Sequence, residues 1–303
     1  MNSDQTVYST DLAGVVVGET AISDVQGELG ILSYRGIDIK DLVGVPYLHV
    51  VWMVLFGDWP NEQQKSRLKS FMCRHTRLSY NEIELLQHVP RDLHPMLMLQ
   101  GLVPLLSLPE EETLGAGMDA EHGLFLAAKM TALIAAHHRL GQSKAILPPV
   151  PGRLFHENFL NMFHGSAPTP AQVKMLDAAQ ILQMEHSFNA GTFAGRVCAS
   201  TLGPIQSSIA ASIGTLFGPL HGGADQAALE MAMEIGSPDK AEAYVRDCIA
   251  SKIKIMGMGH REYRTVDPRA KILKPMAMEL CTEGESNNLL DILVAVEAAC
   301  QHE

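Results

Sequence analysis

The chain has 303 residues, 47% of them apolar, enough for a large core in one big domain or two. Lys and Arg number 23 against 34 Asp and Glu, a net charge of −11 with no basic cluster, which argues against nucleic acid and anionic membranes as partners but not against an anionic small molecule in a local basic pocket. Met1 to Leu12 lacks the basic and apolar stretches of a secretory signal, and the longest apolar runs are too short or too interrupted to span a bilayer. Five scattered cysteines without a CxxC pair fit reduced thiols, so the expectation is a soluble, cytoplasmic protein.

Residues 13–34 carry β-branched runs broken at Asp24 and Gly27, which predicts two or three short strands. After Gly36 the spacing of Ile37, Leu42, Val50 and Val54 predicts core-facing helix, ended by Gly57 and Pro60. Amphipathic helices follow over 61–87 around Leu68, Phe71 and Met72, the second opening at Asn81-Glu82. Pro95 precedes an apolar helix over 96–106, and an acidic connector runs from Pro109 to Gly117. An alanine-rich helix over 121–141 ends in His137-His138-Arg139. Adjacent histidines point to different helix faces and no HExxH spacing exists, so no metal is expected there.

Residues 142–170 read as a Pro- and Gly-rich surface loop with a local helix over 157–163. Thr169-Pro170 is a cap followed by a first-turn proline, and the helix it opens carries Val173, Leu176, Ala179 and Leu182 at core spacing. That helix delivers Glu185-His186-Ser187-Phe188-Asn189 to a junction before helix resumes over 190–200. Polar groups between apolar helices need partners, which a ligand or backbone carbonyls would both supply. The segment 205–217 is rich in Ala, Ser and Gly and suits close helix packing, in the core or between subunits.

Gly218-Pro219-Leu220-His221-Gly222-Gly223 follows, with Gly222 and Gly223 free to take positive φ or to admit a close neighbour. At a helix start, unpaired N–H groups and the dipole disfavour imidazolium, so a neutral His221 could donate to a carbonyl becoming an enolate; a turn with a buried histidine is the plainer reading. Helix is expected over 224–235 and 239–255. Then come Met256-Gly257-Met258-Gly259-His260 and a run with Arg261, Arg264 and Arg269, which is neither a Walker loop nor a dinucleotide fingerprint. It offers a flexible backbone, a histidine and bidentate cations suited to an anionic substrate, or else a solvated charged turn.

The three histidine segments EHSFNAGTF, GPLHGGAD and GMGHREYRTVDPRA, in that order, resemble citrate synthase, and the likeness extends over essentially the whole chain, including GETAISDVQGELGILSYRGIDI and HENFLNMF. It looks like the shorter bacterial and archaeal branch, which also includes 2-methylcitrate synthases. The resemblance implies a mostly α, two-domain helical fold with a few short N-terminal strands, a large domain over 1–221, a small one over 222–303, and a homodimer. It implies condensation of acetyl-CoA with oxaloacetate to citrate and CoA, with the CoA thioester as substrate and no other cofactor. Carried over position by position, His221 would hydrogen-bond the thioester carbonyl and His260 the keto oxygen of oxaloacetate. His186 and Arg269 would hold its carboxylates with Asn189 nearby, and Arg264 and the backbone of Met256, Gly257, Met258 and Gly259 would face CoA. The family's base, an aspartate in Asn-Val-Asp-Phe, has no counterpart before Glu303, and Asp225 and Asp267 stand at other positions. The resemblance therefore also implies a C-terminally truncated chain with little synthase activity, leaving propionyl-CoA as the donor, or a non-catalytic CoA- or dicarboxylate-binding role, as alternatives.

Overall fold

A computed structural model of the protein describes residues 15–260, 262–281 and 285–302, so the expectations for Met1 to Leu12 and for Arg261 lie outside the described residues. Three short strands, β1 (Ser23–Gln26), β2 (Ile31–Tyr34) and β3 (Ile37–Asp38), form an antiparallel sheet in that order, Ser23 opposite Tyr34. Alternation sends Leu32 and Tyr34 inward. Ile37 belongs to this sheet, not to a helix. Helix begins as α1 (Ile39–Leu42), breaks at Gly44 and Pro46, and resumes as α2 (Tyr47–Phe56), which ends on left-handed Gly57.

Side-chain caps set the next boundaries. Asn61 and Gln64 form a capping box on α3 (Glu62–His75), and Ser79 with Glu82 does the same on α4 (Tyr80–Gln87), which therefore opens before Asn81. The apolar helix α5 (Pro95–Leu102) stops short of residue 106 because Pro104 lacks an N–H, and a 3-10 turn follows at Val103–Leu105. The segment expected to be mostly loop carries α7 (Phe155–His164) against the long α6 (Met118–Gly141), burying His156, Asn158 and Met162. Asn158 pins the loop before it by bonding both the N–H and the carbonyl of Val150.

Three apolar clusters divide the interior. One joins Leu68, Phe71, Leu99 and Leu126 of α3, α5 and α6. A second lies between the sheet, α2 and α8 (Pro170–Leu182), with Ile272 and Leu273 of α13 (Pro268–Leu280) against it. The third is made by α11 (Gly223–Ile235), α12 (Ala241–Ala250) and α14 (Glu285–His302), around Met231, Val245, Ile292 and Val296. Helix α12 is shorter than expected because Lys252 turns the chain at φ 56°. Between these clusters α9 (Ala190–Ala199) and α10 (Ile205–Leu216) pack closely: a Cβ on Gly195 would lie 3.2 Å from the Ser208 carbonyl oxygen.

Candidate active site

Helix α8 ends at Leu182, whose carbonyl accepts from the buried Tyr34 hydroxyl at 3.0 Å, and the chain then turns through 183–189. Ser187 sits in the left-handed region at φ 58°, a strain of roughly 1–2 kcal/mol for a residue with a Cβ. Its N–H is held by Ser23 Oγ (2.9 Å) and Glu185 Oε2 (3.1 Å), so β1 anchors the histidine beside it. Asn189 closes the turn as the N-cap of α9, accepting from the Thr192 N–H at 3.0 Å.

The loop after α12 brings the second histidine to the same place. Gly257 (φ 80°) and Gly259 (φ 77°) take conformations that side chains avoid. The tip of the β1–β2 hairpin lies on this loop, with the Arg264 N–H donating to the Gly27 carbonyl at 3.1 Å. His260 Nδ1 accepts from the N–H groups of Glu262 (3.1 Å) and Tyr263 (3.3 Å). A neutral ring held this way carries its proton on Nε2. Burial, aided by the Arg269 charge, lowers the His260 pKa against the pull of Asp267, which favours that neutral form.

His260 Nε2 faces Arg269 Nη2 at 3.4 Å. Both atoms are donors, so the pair converges on a position that an acceptor oxygen from a ligand would satisfy. Arg269 stands in the first turn of α13 after Pro268, and Asp267 caps that helix by accepting from the Arg269 N–H at 2.9 Å. The Asp267 carboxylate also takes Nε (3.0 Å) and Nη2 (2.6 Å) of the guanidinium. Burial opposes both charges, yet the pair wins: Arg269 is raised and Asp267 lowered from their ordinary values.

His186 is 5.6 Å from His260 between ring centroids, and its Nε2 lies 3.0 Å from the Tyr263 hydroxyl. Burial, with the charges of Arg269 and His260, pushes its pKa down to about 4. His221 belongs to the neighbouring pair. Its Nε2 lies 3.2 Å from Asn189 Oδ1, an acceptor, so the neutral ring donates from Nε2. Partial burial lowers its pKa and so favours that neutral form. Neither Gly222, at φ −63°, nor Gly223 uses positive φ; a Cβ on Gly222 would stand 2.9 Å from the Leu216 carbonyl oxygen, and close packing on α10 is what excludes side chains there.

The structure thus gathers His186, His260 and Arg269, and joins Asn189 to His221 through the same 186–189 turn. Arg264 is elsewhere, its exposed guanidinium 3.9 Å from Glu28. Gly257 rests against Ala228 of α11, and Met258 packs on the third cluster. Two site residues escaped the sequence reading. Tyr263 was passed over within a run read for its cations, although a tyrosine amid charges invites a polar contact. Asp267 was set aside, although Asp-Pro-Arg is a cap, a first-turn proline and an ion-pair partner in succession. Among the described residues no group of three or more His, Cys, Asp or Glu is arranged to hold a metal ion. His137 bonds the Leu93 carbonyl at 2.8 Å, and His138 stacks on Phe163 at 3.8 Å.

The family described as citrate synthase, C-terminal domain, matches residues 11–303. The citrate synthase of Synechocystis sp. is 33% identical over 305 residues, which cover 98% of this chain and 76% of that protein. The 2-methylcitrate synthase of Shewanella oneidensis is 34% identical over 305 residues, covering 98% and 80%. Among solved structures, citrate synthase from Thermotoga maritima superposes with a TM-score of 0.87 at 31% identity, over 98% of this chain and 79% of that one. Citrate synthase from Thermoplasma acidophilum, solved as a ternary complex with carboxymethyl coenzyme A and oxaloacetate, superposes with a TM-score of 0.86 at 28% identity, over 94% of this chain and 76% of that one.

Proposed function

The chain belongs to the citrate synthase family of acyltransferases, and from that premise we propose that its histidine cluster binds oxaloacetate and presents it to an acyl-CoA enol. The observation that carries this reading is the meeting of two donors, His260 Nε2–H and Arg269 Nη2, 3.4 Å apart, where among the described residues Nη2 has Asp267 as its acceptor and His260 Nε2–H has none. A keto oxygen or carboxylate of oxaloacetate fits there. His260 donates to the keto oxygen and supplies its proton as the new carbon–carbon bond forms, while His186 and Arg269 hold carboxylates.

His221 redirects the hydrogen bond of its Nε2–H from Asn189 Oδ1 to the thioester carbonyl and keeps its proton, so that a neutral donor stabilises the enolate as charge develops. Asn189 then stays at the helix cap beside the diacid. Arg264 and the backbone of 256–259 face CoA. For the methyl proton, Asp225 is exposed and Asp267 is committed to Arg269, and these 303 residues carry no Asn-Val-Asp-Phe segment.

A large part over 1–221 and a small one over 222–303 are proposed to close on the substrates. The separate core of α11, α12 and α14 supports that division. A homodimer is proposed through α5, α9 and α10, of which α10 packs on the other two; Leu97, Val197 and Leu216 on these helices, and Leu105 and Leu202 just after α5 and α9, are exposed. Among the described residues no helix is long and apolar enough to cross a membrane.

Titration calorimetry with oxaloacetate tests the site: saturable binding is expected, weakened at least tenfold in Arg269→Leu. No binding, or binding indifferent to that change, refutes the reading. A thiol-release assay run with acetyl-CoA and with propionyl-CoA assigns the donor, since relatives of both kinds are equally similar.

A further inference from the structure

Tyr263 is 4% exposed and lies against His186, His260 and Arg269, the three groups proposed to grip oxaloacetate. Its hydroxyl is 3.0 Å from His186 Nε2, and its ring meets His186 edge-on at 5.5 Å. The same ring leans on His260 at 4.8 Å, and its own N–H donates to His260 Nδ1 at 3.3 Å. The Arg269 guanidinium lies 6.0 Å from the ring centroid. We propose that Tyr263 is the positioning residue of this cluster: its O–H fixes which nitrogen of His186 carries the proton, and its ring fixes the plane of His260.

The direction of the hydroxyl bond follows from the groups present. Burial pushes the Tyr263 phenol up to about 12, so it keeps its proton at neutral pH. A neutral His186 offers Nε2 either as acceptor or as donor. A phenol is the stronger hydrogen-bond acid, and among the described residues its O–H has no other acceptor within reach. Tyr263 therefore donates, Nε2 accepts, and the proton of His186 sits on Nδ1. His260 has the opposite arrangement, with Nδ1 occupied by backbone donors and the proton on Nε2. Two neutral histidines 5.6 Å apart are thus locked in complementary tautomers, and one side chain contacts both.

The oxaloacetate arm of the test rests on the proposed function; the tautomer arm does not. Nitrogen-15 NMR of the ligand-free chain reads the protonated nitrogen of each imidazole. Expected in the unaltered chain are Nδ1–H for His186 and Nε2–H for His260. In Tyr263→Phe, which keeps the ring, His186 shifts toward the Nε2–H form favoured in free imidazoles, His260 is unchanged, and oxaloacetate affinity falls about tenfold. A ring-fluorinated tyrosine at 263, a stronger donor of nearly the same shape, moves only the His186 signals and serves if the phenylalanine variant folds poorly. Unchanged His186 signals in both variants overturn the proposal, even if thermal stability falls. A tautomer change in a chain that binds no oxaloacetate upholds the positioning role and sinks the oxaloacetate reading instead.

Discussion

Replacing Gly27 by alanine probes how the hairpin braces the site. Gly27 does not use positive φ, so alanine suits its backbone; the objection is steric. The new Cβ would overlap the Glu262 carbonyl oxygen and stand 2.9 Å from its carbon, both main-chain atoms that no side-chain rotation can move aside. Relief requires the hairpin and the 260–266 loop to part, which also breaks the Arg264 N–H bond to the Gly27 carbonyl. Overpacking of this kind costs about 1–3 kcal/mol and the lost bond about 1 kcal/mol, so roughly 2–4 kcal/mol of stability is at stake. Because the loop carries His260 and Tyr263, part of that cost is expected to emerge as weaker oxaloacetate binding. Urea unfolding and calorimetric titration on the same sample measure the two shares. Gly36→Ala is the control: at φ 81° with nothing within 4 Å of its Cβ, it should lose roughly 1–2 kcal/mol to backbone strain and leave binding untouched. Unchanged stability and unchanged affinity in Gly27→Ala would refute the brace.

Lys129→Met is expected to destabilise the chain by about 3–5 kcal/mol in urea unfolding, because it strands the Glu82 carboxylate that Lys129 contacts at 2.7 Å with both side chains nearly buried. Adding Glu82→Gln should restore most of the loss. Asn189→Ala removes the cap of α9 and the acceptor of His221 together; stability should fall by about 1 kcal/mol, and the His221 ring signals in NMR should shift. Acid should weaken the fold through His186, whose folded pKa of about 4 lies below its ordinary 6.5. Its contribution is complete above about pH 6.5 and is lost as pH falls toward 4, since the unfolded chain binds the proton more readily. In His186→Gln that part of the acid slope should vanish from unfolding curves recorded across the range.

Local signals were enough for much of the fold. Thr169-Pro170, Gly57 and the alternation at Leu32 and Tyr34 act through their nearest neighbours along the chain, so their outcomes are legible before any tertiary contact forms. Boundaries failed where a single group outweighed apolar spacing, as Pro104 did at the end of α5 and Ser79 at the start of α4. The three histidines could be picked out from their segments and from the family likeness that those segments carry. Their partners could not.

That Tyr263 would meet His186, that Asp267 would engage Arg269 beside His260, and that Asn189 would accept a hydrogen bond from His221 depend on contacts between segments. So does the purpose of Gly27 and Gly222, whose missing side chains make room for other main chain rather than for a turn. Sequence by itself determined which residues could do the chemistry, because residue type sets proton affinity and hydrogen-bonding capacity. Only the tertiary structure decided which nitrogen of each imidazole faces a ligand, because that choice belongs to whichever donor or acceptor folding brings against the other one.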